Sequence, residues 1–188
     1  MTEVEEQPTA KGARRGPTTV TRAYFEALND HDLPAAAALW ESGRTDRLIG
    51  IVEFTMPEGF MEWFGALLAA FPDSRFEVLS ITAQKENAAV RYRVTGTFDG
   101  TGKFEGLTPN GARVELEGCD VFTVRDGLIV DNHAYLNAAE LARQLGALPP
   151  RGSIAERGMT AALNARVAAG ELLGSLRERA GTARSPKA

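Results

Sequence analysis

The spacing of apolar residues changes near Pro72. Before it, apolar side chains recur every three or four residues, which is the period of one helix face. The pattern therefore predicts three helices, in TTVTRAYFEALND, LPAAAALWES and PEGFMEWFGALLAAF. The stretch between the last two, GRTDRLIGIVEFTM, is predicted to be irregular or a short extended piece.

After Pro72 the apolar period becomes two, which indicates strands. Four are predicted, in RFEVLSITA, NAAVRYRVTGTFDG, RVELEGCDVFTV and LIVDNHAYL, with Asp-Gly and Asn-Gly turns beside them. Helices followed by antiparallel strands indicate an α+β fold. Because the sheet can bury one face only against those helices, we expect a curved sheet with a small-molecule cavity beneath it.

The two ends of the chain differ from this middle part. Residues 1–16 are polar and are predicted to be a disordered lead-in. The domain is predicted over residues 17–148 and closes with a short helix in AAELARQLGAL. Residues 149–188 are predicted to be a helical extension with a disordered end, packed on the same chain or on a dimer mate. Ser153 and Glu156 form a candidate capping box.

Composition limits the classes of partner that the protein is expected to bind and the cellular compartment that it is expected to occupy. The net charge of −4 is not that of a nucleic-acid or anionic-membrane binder, which would need a basic face. The single cysteine, Cys119, fits a reducing compartment, and the charged N-terminus has no apolar signal region. No apolar run approaches the ~20 residues of a membrane span. We expect a cytoplasmic protein with no membrane partner.

Asp120 is the main candidate for chemistry. It lies on the strand face that also carries Val114, Leu116, Phe122 and Val124, so this carboxylate points into the core. A buried carboxylate must find donors, meet water in a cavity, or bind a proton with a raised pKa. Such a group is a candidate general acid or base. The structural alternative is an Asp that is tied to a backbone N–H or an arginine.

The partner of Asp120 depends on the turn at Asp126-Gly127. A two-residue turn would place His133 opposite Asp120 as an Asp–His dyad. A three-residue turn with a glycine bulge would place Asn132 there instead, with His133 on the outer face. The second register brings the more apolar set of residues inward, so we favour Asn132.

Other residues are candidates for the lining of the cavity. Asp46 lies in the irregular stretch after the second helix, where we expect it near the pocket mouth or in solvent. The remaining candidates are aromatic residues or neighbours of Asn132: Trp40, Trp63, Phe64, Tyr92, Phe122, Ala134 and Tyr135. The chain has no metal-ligand spacing and no glycine-rich phosphate loop, so no metal and no cofactor are predicted.

Several segments, taken in order, resemble the SnoaL-like polyketide cyclases of the nuclear transport factor 2-like superfamily. They are AYFEALNDHDLPAAAALW, LLAAFPDSRFEVL, AVRYRVTGTF, GCDVFTVRDGLIVDNHAYL and LARQLG. The resemblance covers residues 17–148. It implies a cone with a deep pocket, N-terminal helices packed in the curved antiparallel sheet, and a homodimer formed through the outer sheet face.

The resemblance also implies a reaction. Cyclases of the family close a ring by an intramolecular aldol condensation, without metal or organic cofactor. Alignment on the Asp-Gly turn places the family's His at Asp120 and its acid/base Asp at Ala134, which cannot move a proton. The related limonene-epoxide hydrolases use an Asp-Arg-Asp arrangement, whereas Arg91 and Arg93 are predicted on the outer face here. Steroid isomerases share the fold and use an Asp base with an acidic hydrogen-bond donor. Asp120 as the base and Tyr92 as the donor could form a similar arrangement.

These observations predict a cofactor-independent cyclase or isomerase acting on a hydrophobic, polyketide-like small molecule. Asp120 would be the acid/base, and Asn132 or, in the other register, His133 would assist it. The alternative is a protein of the same fold that binds a small molecule without turnover, which Ala134 favours. An epoxide-hydrolase-like enzyme is a further alternative.

Overall fold

The computed structural model describes residues 15–182, apart from the side chains of residues 172 and 175–182. The helices are α1 (Pro17–Asn29), α2 (Leu33–Ala37), α3 (Glu58–Ala70), α4 (Ala138–Gln144) and α5 (Ile154–Thr182). The strands are β1 (Thr45–Leu48), β2 (Val52–Thr55), β3 (Arg75–Gln84), β4 (Asn87–Phe98), β5 (Ala112–Arg125) and β6 (Leu128–Leu136). The predicted disordered ends fall almost entirely outside the described residues.

The strands form one curved sheet with the order β2-β1-β6-β5-β4-β3. The α+β class and the four long strands are confirmed. The expectation of a wholly antiparallel sheet is wrong, because β1 pairs with β6 in parallel. The stretch GRTDRLIGIVEFTM is extended, which was one of the two expected alternatives, and it forms the two strands of the β1–β2 hairpin.

The sequence did not identify β1 as a strand of the main sheet because its inner face carries a charged residue. Asp46 and Leu48 are buried while Thr45 and Arg47 are half-buried, which is the alternation of an ordinary strand. Asp46 takes the place where an apolar residue would mark the period. Only four residues long, the strand offers no further repeat to reveal the pattern.

Helix α1 covers the inner face of the sheet. Its stripe of Val20, Tyr24, Phe25 and Leu28 is buried in the main apolar cluster, as its 3.6-residue period predicts. The end of the helix is fixed to β3 by Asn29. Its side-chain amide donates to the Phe76 carbonyl at 2.9 Å, and its side-chain oxygen accepts from the Phe76 N–H at 2.8 Å.

The β5–β6 turn has two residues, so the preferred three-residue turn is wrong. Asp126 and Gly127 have φ of 52° and 85°, the left-handed pair that a tight hairpin requires. The register then shifts between Thr123 and Val124, because Val130 forms a bulge in β6. The bulge reverses the faces beyond it, so Asn132 points inward as expected, although Ala134 is the residue directly opposite Asp120.

The described residues from Gly146 onward form a separate compact unit. Its helix α5 begins as predicted, since the Glu156 N–H donates to Ser153 Oγ at 3.1 Å and the Glu156 carboxylate accepts from the Gly152 N–H. The apolar residues Met159, Leu163, Val167 and Leu173 of this helix are all exposed. Among the described residues, no helix has the length and apolar character needed to cross a membrane.

Candidate functional site

The sheet brings two carboxyl groups together on its inner face. In the parallel register of β1 and β6, Asp46 lies beside Asn132. Asn132 pairs with Phe122 on β5 and therefore lies diagonally to Asp120. Its Nδ2 donates to Asp46 Oδ1 at 2.9 Å and to Asp120 Oδ2 at 3.3 Å. One amide therefore bridges carboxyl groups that are 74 residues apart in the chain (120 minus 46).

All three side chains are withdrawn from water. Asp46 and Asn132 are each 1% exposed and Asp120 is 6% exposed. Within residues 15–182, neither carboxyl group has a salt-bridge partner; the Arg47 next to Asp46 instead pairs with Asp131 and Glu53 on the opposite face. Two buried carboxylates without a cation are unfavourable, so this arrangement favours retention of a proton.

Burial raises the pKa of both acids. Desolvation, followed by the nearby Asp120, raises the pKa of Asp46 to about 8, against the hydrogen bonds from Asn132 and the Arg47 backbone N–H. Desolvation raises the pKa of Asp120 to about 7, opposed by Tyr92 and Asn132. Because the two carboxyl groups are coupled, the pair as a whole retains a proton near neutral pH.

Two tyrosines adjoin the acids. Tyr24 of α1 and Tyr92 of β4 are buried, and desolvation together with the charges of Asp46 and Asp120 raises both phenol pKa values well above their ordinary range. Both therefore stay protonated as hydrogen-bond donors at neutral pH. The structure identifies Tyr24 as a candidate residue that the sequence analysis missed. A tyrosine on the buried face of a helix is ordinarily a core residue, so its position alone did not suggest a role.

Three buried polar atoms of this region make no hydrogen bond of standard geometry among the described residues: Asp120 Oδ1, Asn132 Oδ1 and Trp40 Nε1. Weaker polar contacts join the Asp120 side chain to Tyr92 and the Trp40 side chain to Tyr24. Buried polar groups are nearly always hydrogen-bonded, to protein, to water or to a ligand. Asn132 Oδ1 is therefore the clearest unmade contact, on a side chain that itself donates a hydrogen bond to Asp120.

The aromatic candidates divide into two groups. Trp40 and Phe122 lie beside the acids, since both contact the ring of Tyr24, with ring centroids 6.4 and 5.6 Å away. Trp63 and Phe64 pack instead on Phe54, one ring farther from the acids. The Trp63 indole N–H donates to Glu105 at 3.0 Å, at the exposed edge of this second group.

Two predicted site residues lie on the wrong face. His133 points outward beside Asp131, with its Nε2 3.6 Å from Asp131 Oδ2, so the Asp120–His133 dyad is wrong. Tyr135 is 49% exposed and opposes Cys119, also on the outer face. The physical reason is the Val130 bulge, which returns Asn132 and Ala134 to the inner face. Ala134 is buried opposite Asp120, as expected for a lining position, but without a polar group.

Asp46 occupies a different environment from the one expected. The sequence suggested a residue at the pocket mouth or in solvent, whereas the structure buries it against Asn132. The site of Asp46, Asn132 and Asp120 is hereafter the acid pair with its bridging amide. No group of three or more His, Cys, Asp or Glu side chains in the described part of the chain could hold a metal ion.

The SnoaL-like domain model matches residues 21–132, which is more than half of the chain. This match decides the family. The protein belongs to the SnoaL-like family. The matched segment begins within α1 and ends at Asn132, so it includes every member of the acid pair with its bridging amide.

Solved structures agree with that assignment. AclR from Streptomyces galilaeus, provisionally called a hydroxylase, is 28% identical with a TM-score of 0.61, covering 70% of this chain and 96% of AclR. A provisional polyketide cyclase from Xanthomonas campestris pv. campestris is 26% identical with a TM-score of 0.62, covering 68% and 95%. IdmH from Streptomyces antibioticus, also a provisional polyketide cyclase, is 25% identical with a TM-score of 0.61, covering 70% and 99%. No curated protein matches the chain.

Proposed function

We propose that this protein is an acid/base enzyme of the cyclase or isomerase type, acting on a neutral, largely apolar carbonyl compound. The observation that carries the proposal is the buried pair of Asp46 and Asp120, bridged by Asn132 and without a salt-bridge partner in residues 15–182. A coupled pair of buried carboxyl groups that shares a proton can supply a base and an acid at the same pH. The provisional cyclase assignments of IdmH and the Xanthomonas protein support the same class of chemistry.

In the proposed reaction, Asp120 in its carboxylate form removes a proton from the carbon next to the substrate carbonyl. The electron pair of that C–H bond moves into an enolate, whose oxygen receives a hydrogen bond or a proton from a neutral donor. Asp46 in its protonated form and the Tyr24 and Tyr92 phenols are donors beside Asp120. In ring closure, the enolate carbon attacks a second carbonyl carbon, the electron pair of that C=O bond moves onto its oxygen, and this oxygen takes the proton that Asp120 removed. In isomerisation, Asp120 returns the proton to a different carbon of the enolate. Both routes restore the Asp120 carboxylate.

The chain's residues contribute positioning as well as proton transfer. Asn132 holds the two carboxyl groups at fixed places, and the aromatic rings of Tyr24, Phe122 and Trp40 exclude water beside them. Holding a reacting carbon next to a desolvated base can supply a large part of a rate acceleration. General base catalysis itself contributes about 100- to 10,000-fold.

A test of this chemistry does not require the natural substrate. The exchange of the α-protons of 2-tetralone, a neutral bicyclic ketone, is followed by proton NMR in D2O with wild-type protein, Asp120→Asn and Glu117→Gln. Glu117 lies on the same strand but faces outward, so it serves as the matched control. We expect wild type and Glu117→Gln to accelerate exchange equally and Asp120→Asn to lose about 100-fold or more. Full exchange activity in a folded Asp120→Asn variant would contradict the proposal.

The alternative function is binding of a small molecule without turnover. The specific observation that favours it is Ala134, which takes the position where the family resemblance places an acid/base Asp. Under this alternative, ligands bind and no variant changes the exchange rate above background. An epoxide-hydrolase-like activity remains a weaker proposal. The hydrolase-like structure from M. tuberculosis is 16% identical and supports the shared fold alone.

A further inference from the structure

A ligand reaches the acid pair with its bridging amide only if part of the protein moves. Asp46 and Asn132 are each 1% exposed and Asp120 is 6% exposed, so the three side chains touch almost no solvent. Protein interiors are close-packed, and a ring-sized molecule contacts these side chains only after the residues that cover them have moved aside. The element that moves most readily is the one that the fewest contacts hold in place.

The connection between β4 and β5, residues 99–111, is the longest between two consecutive elements in residues 15–182. Long connections that cover a site are often lids. Its first residues are fixed to the end of α3, because the N–H groups of Gly100 and Thr101 donate to the carbonyls of Ala70 and Ala69, both at 3.0 Å. Only glycine fits at the first of these positions, where a Cβ would lie 2.0 Å from the Ala69 carbonyl oxygen. This connection is hereafter the strap.

The middle of the strap makes few backbone contacts with the rest of the domain. At its far end, the N–H groups of Asn110 and Gly111 donate to the Phe98 carbonyl, at 3.0 and 2.7 Å. In between, the backbone hydrogen bonds within residues 15–182 are the two that join Phe104 to Leu107 across a tight turn. Because neither of these bonds reaches the rest of the domain, the turn can lift without breaking the sheet.

Three side chains of the strap hold this turn in place. Phe104 is 3% exposed and lies between Trp63 and Phe71, with ring centroids 5.4 and 5.6 Å away. Leu107 is partly buried against the same apolar cluster. The exposed Glu105 carboxylate accepts a hydrogen bond from the Trp63 indole N–H at 3.0 Å. Opening of the turn therefore exposes one buried ring and part of one leucine, and it breaks one surface hydrogen bond.

The interior beneath the strap is continuous with the surroundings of the acid pair. Trp63 and Leu136 pack against both apolar clusters of the domain, the one that contains Phe104 and the one beside the acids. On the inner face of β5, Gly118 lies between Asp120 and the residues of that strand that belong to the cluster of Phe104. Since Gly118 has no side chain, β5 places none between the acids and the cluster under the strap.

We propose that the strap opens to admit a ligand to the acid pair and closes over it, with Phe104 as the residue that blocks the entrance. When the strap is closed, the Phe104 ring fills the space between Trp63 and Phe71 and keeps water from the acids. Loop closure of this kind sequesters many active sites from solvent. The inference rests on the proposed function in one respect, that a ligand reaches the acids, and it holds for turnover and for binding alike.

The test measures access to the inner face with a thiol in place of the Ala134 side chain. Ala134 is buried opposite Asp120, and in Cys119→Ser/Ala134→Cys protein that thiol is the only one in the chain. The probe is 2,2′-dithiodipyridine, a neutral reagent with two aromatic rings, and the release of 2-thiopyridone is followed by absorbance at urea concentrations below the unfolding transition. We expect labelling that is far slower than in the denatured protein and that depends on urea much less steeply than global unfolding does.

Three variants of this labelling protein locate the entrance. Phe104→Ala should raise the urea-independent labelling rate about tenfold or more, and Glu105→Ala should raise it about two- to fivefold. Phe98→Ala is the matched control, because it removes a fully buried ring of the same cluster from β4, where that ring stacks on Phe71 at 4.9 Å. It should lower the free energy of unfolding without a comparable rise in the urea-independent rate.

Each outcome bears on the inference. Equal urea-independent rates for Phe104→Ala and Phe98→Ala would overturn it. A labelling rate that follows global unfolding alone, or one as fast as in the denatured protein, would also overturn it, since the first excludes a local opening and the second shows a site that is always open. Where Phe104→Ala does not fold, the surface variant Glu105→Ala decides, and an unchanged rate there contradicts the strap.

The proposed function fails separately, because thiol labelling requires no turnover. A strap effect on labelling without proton exchange on 2-tetralone supports a binding protein with this entrance. Proton exchange without a strap effect supports the enzyme and overturns the strap as its entrance.

Discussion

Strand β5 presents carboxylates to two different environments, three residues apart. Glu117, on the outer face, is half-exposed and interacts with Arg93 at 3.2 Å and Arg91 at 3.5 Å. Asp120, on the inner face, is buried with an amide neighbour and no salt-bridge partner in residues 15–182. The outer arrangement is the ordinary one for a sheet surface. The inner one costs stability, which is the pattern expected where selection has favoured chemistry over folding.

The largest expected difference between the two faces is in the pH dependence of stability. The folded state raises the pKa of Asp120 to about 7 and of Asp46 to about 8, so between about pH 4 and these values it binds more protons than the unfolded state. The free energy of unfolding therefore falls as pH rises through that window. For Asp120 alone the fall is on the order of 4 kcal/mol.

Urea denaturation at a series of pH values measures this fall. We expect Asp120→Asn to flatten the profile and to be more stable than wild type above about pH 7, while Glu117→Gln retains the wild-type slope. If Asp120→Asn and Glu117→Gln gave parallel profiles, the inner carboxylate would be no different from the outer one.

The bridging amide should have the next largest effect. Asn132→Leu leaves the oxygens that Nδ2 now serves, Asp46 Oδ1 and Asp120 Oδ2, without that donor. Loss of a buried partner costs about 1–3 kcal/mol for each orphaned group, and the cost should be greater where the acids are ionised. The measurement is the free energy of unfolding of this variant at a pH below and a pH above the pKa of Asp120.

A matched outer-face variant is Thr97→Val, which removes one of two contacts to the exposed Asp73, and it should cost less than about 1 kcal/mol. Equal losses for the two variants, or a loss for Asn132→Leu that does not grow with pH, would contradict the bridging role.

Substitution of Gly118 tests the inner face of the sheet through packing, without a change of charge. A Cβ there would lie 2.7 Å from Tyr92 Cζ and 2.8 Å from its hydroxyl, so Gly118→Ala must displace the tyrosine beside the acids. We expect a loss of about 1–3 kcal/mol. Gly96→Ala on the neighbouring strand is the control, since its nearest contacts would be an ordinary 3.5 Å and its stability should be unchanged or slightly higher. Thermal unfolding followed by circular dichroism distinguishes the two variants, and a Gly118→Ala protein as stable as Gly96→Ala would show that Tyr92 has room to move.

The smallest expected effect is on the outer face itself. Arg93 lies within 3.2 to 3.4 Å of Glu77, Glu115 and Glu117, but all four side chains are more than a third exposed. Exposed pairs of this kind contribute about 0–1 kcal/mol and are screened by salt. Glu115→Gln should therefore lower the unfolding free energy by less than about 1 kcal/mol, and by less still in high salt. A larger loss that persists in salt would mean that the two faces differ less than proposed.

The long strands and α1 could be predicted because their apolar periods run over many residues. Asp120 could be identified as inward-facing for the same reason: five of the six residues on its face are uncharged and mostly apolar. Asn132 was assigned to the right face by an argument that used the wrong turn. The pattern Leu128, Val130, Asn132, Ala134 predicts which residues face inward. Two arrangements place Asn132 and Ala134 on that face: a three-residue turn, or a two-residue turn followed by a bulge at Val130.

Asp46 and Tyr24 show what a sequence alone does not reveal. The burial of Asp46 depends on the parallel pairing of β1 with β6, a contact between segments that are 86 residues apart, and no local pattern encodes it. Tyr24 and Phe25 are both aromatic residues on the buried face of α1. Only the packing of α1 against the sheet shows that Tyr24 lies beside Asp46 and Asp120.

The parallel β1–β6 pairing also sets an order of events during synthesis. Asp46 leaves the ribosome long before its partner Asn132, and the β1–β2 hairpin can form first, from local contacts alone. In that partial chain the Asp46 carboxylate remains in water with an ordinary proton affinity. The acid pair comes into existence only when β6, the last strand, docks between β1 and β5. The docking of β6, which completes the sheet, is therefore also the step that raises the proton affinity of the two acids.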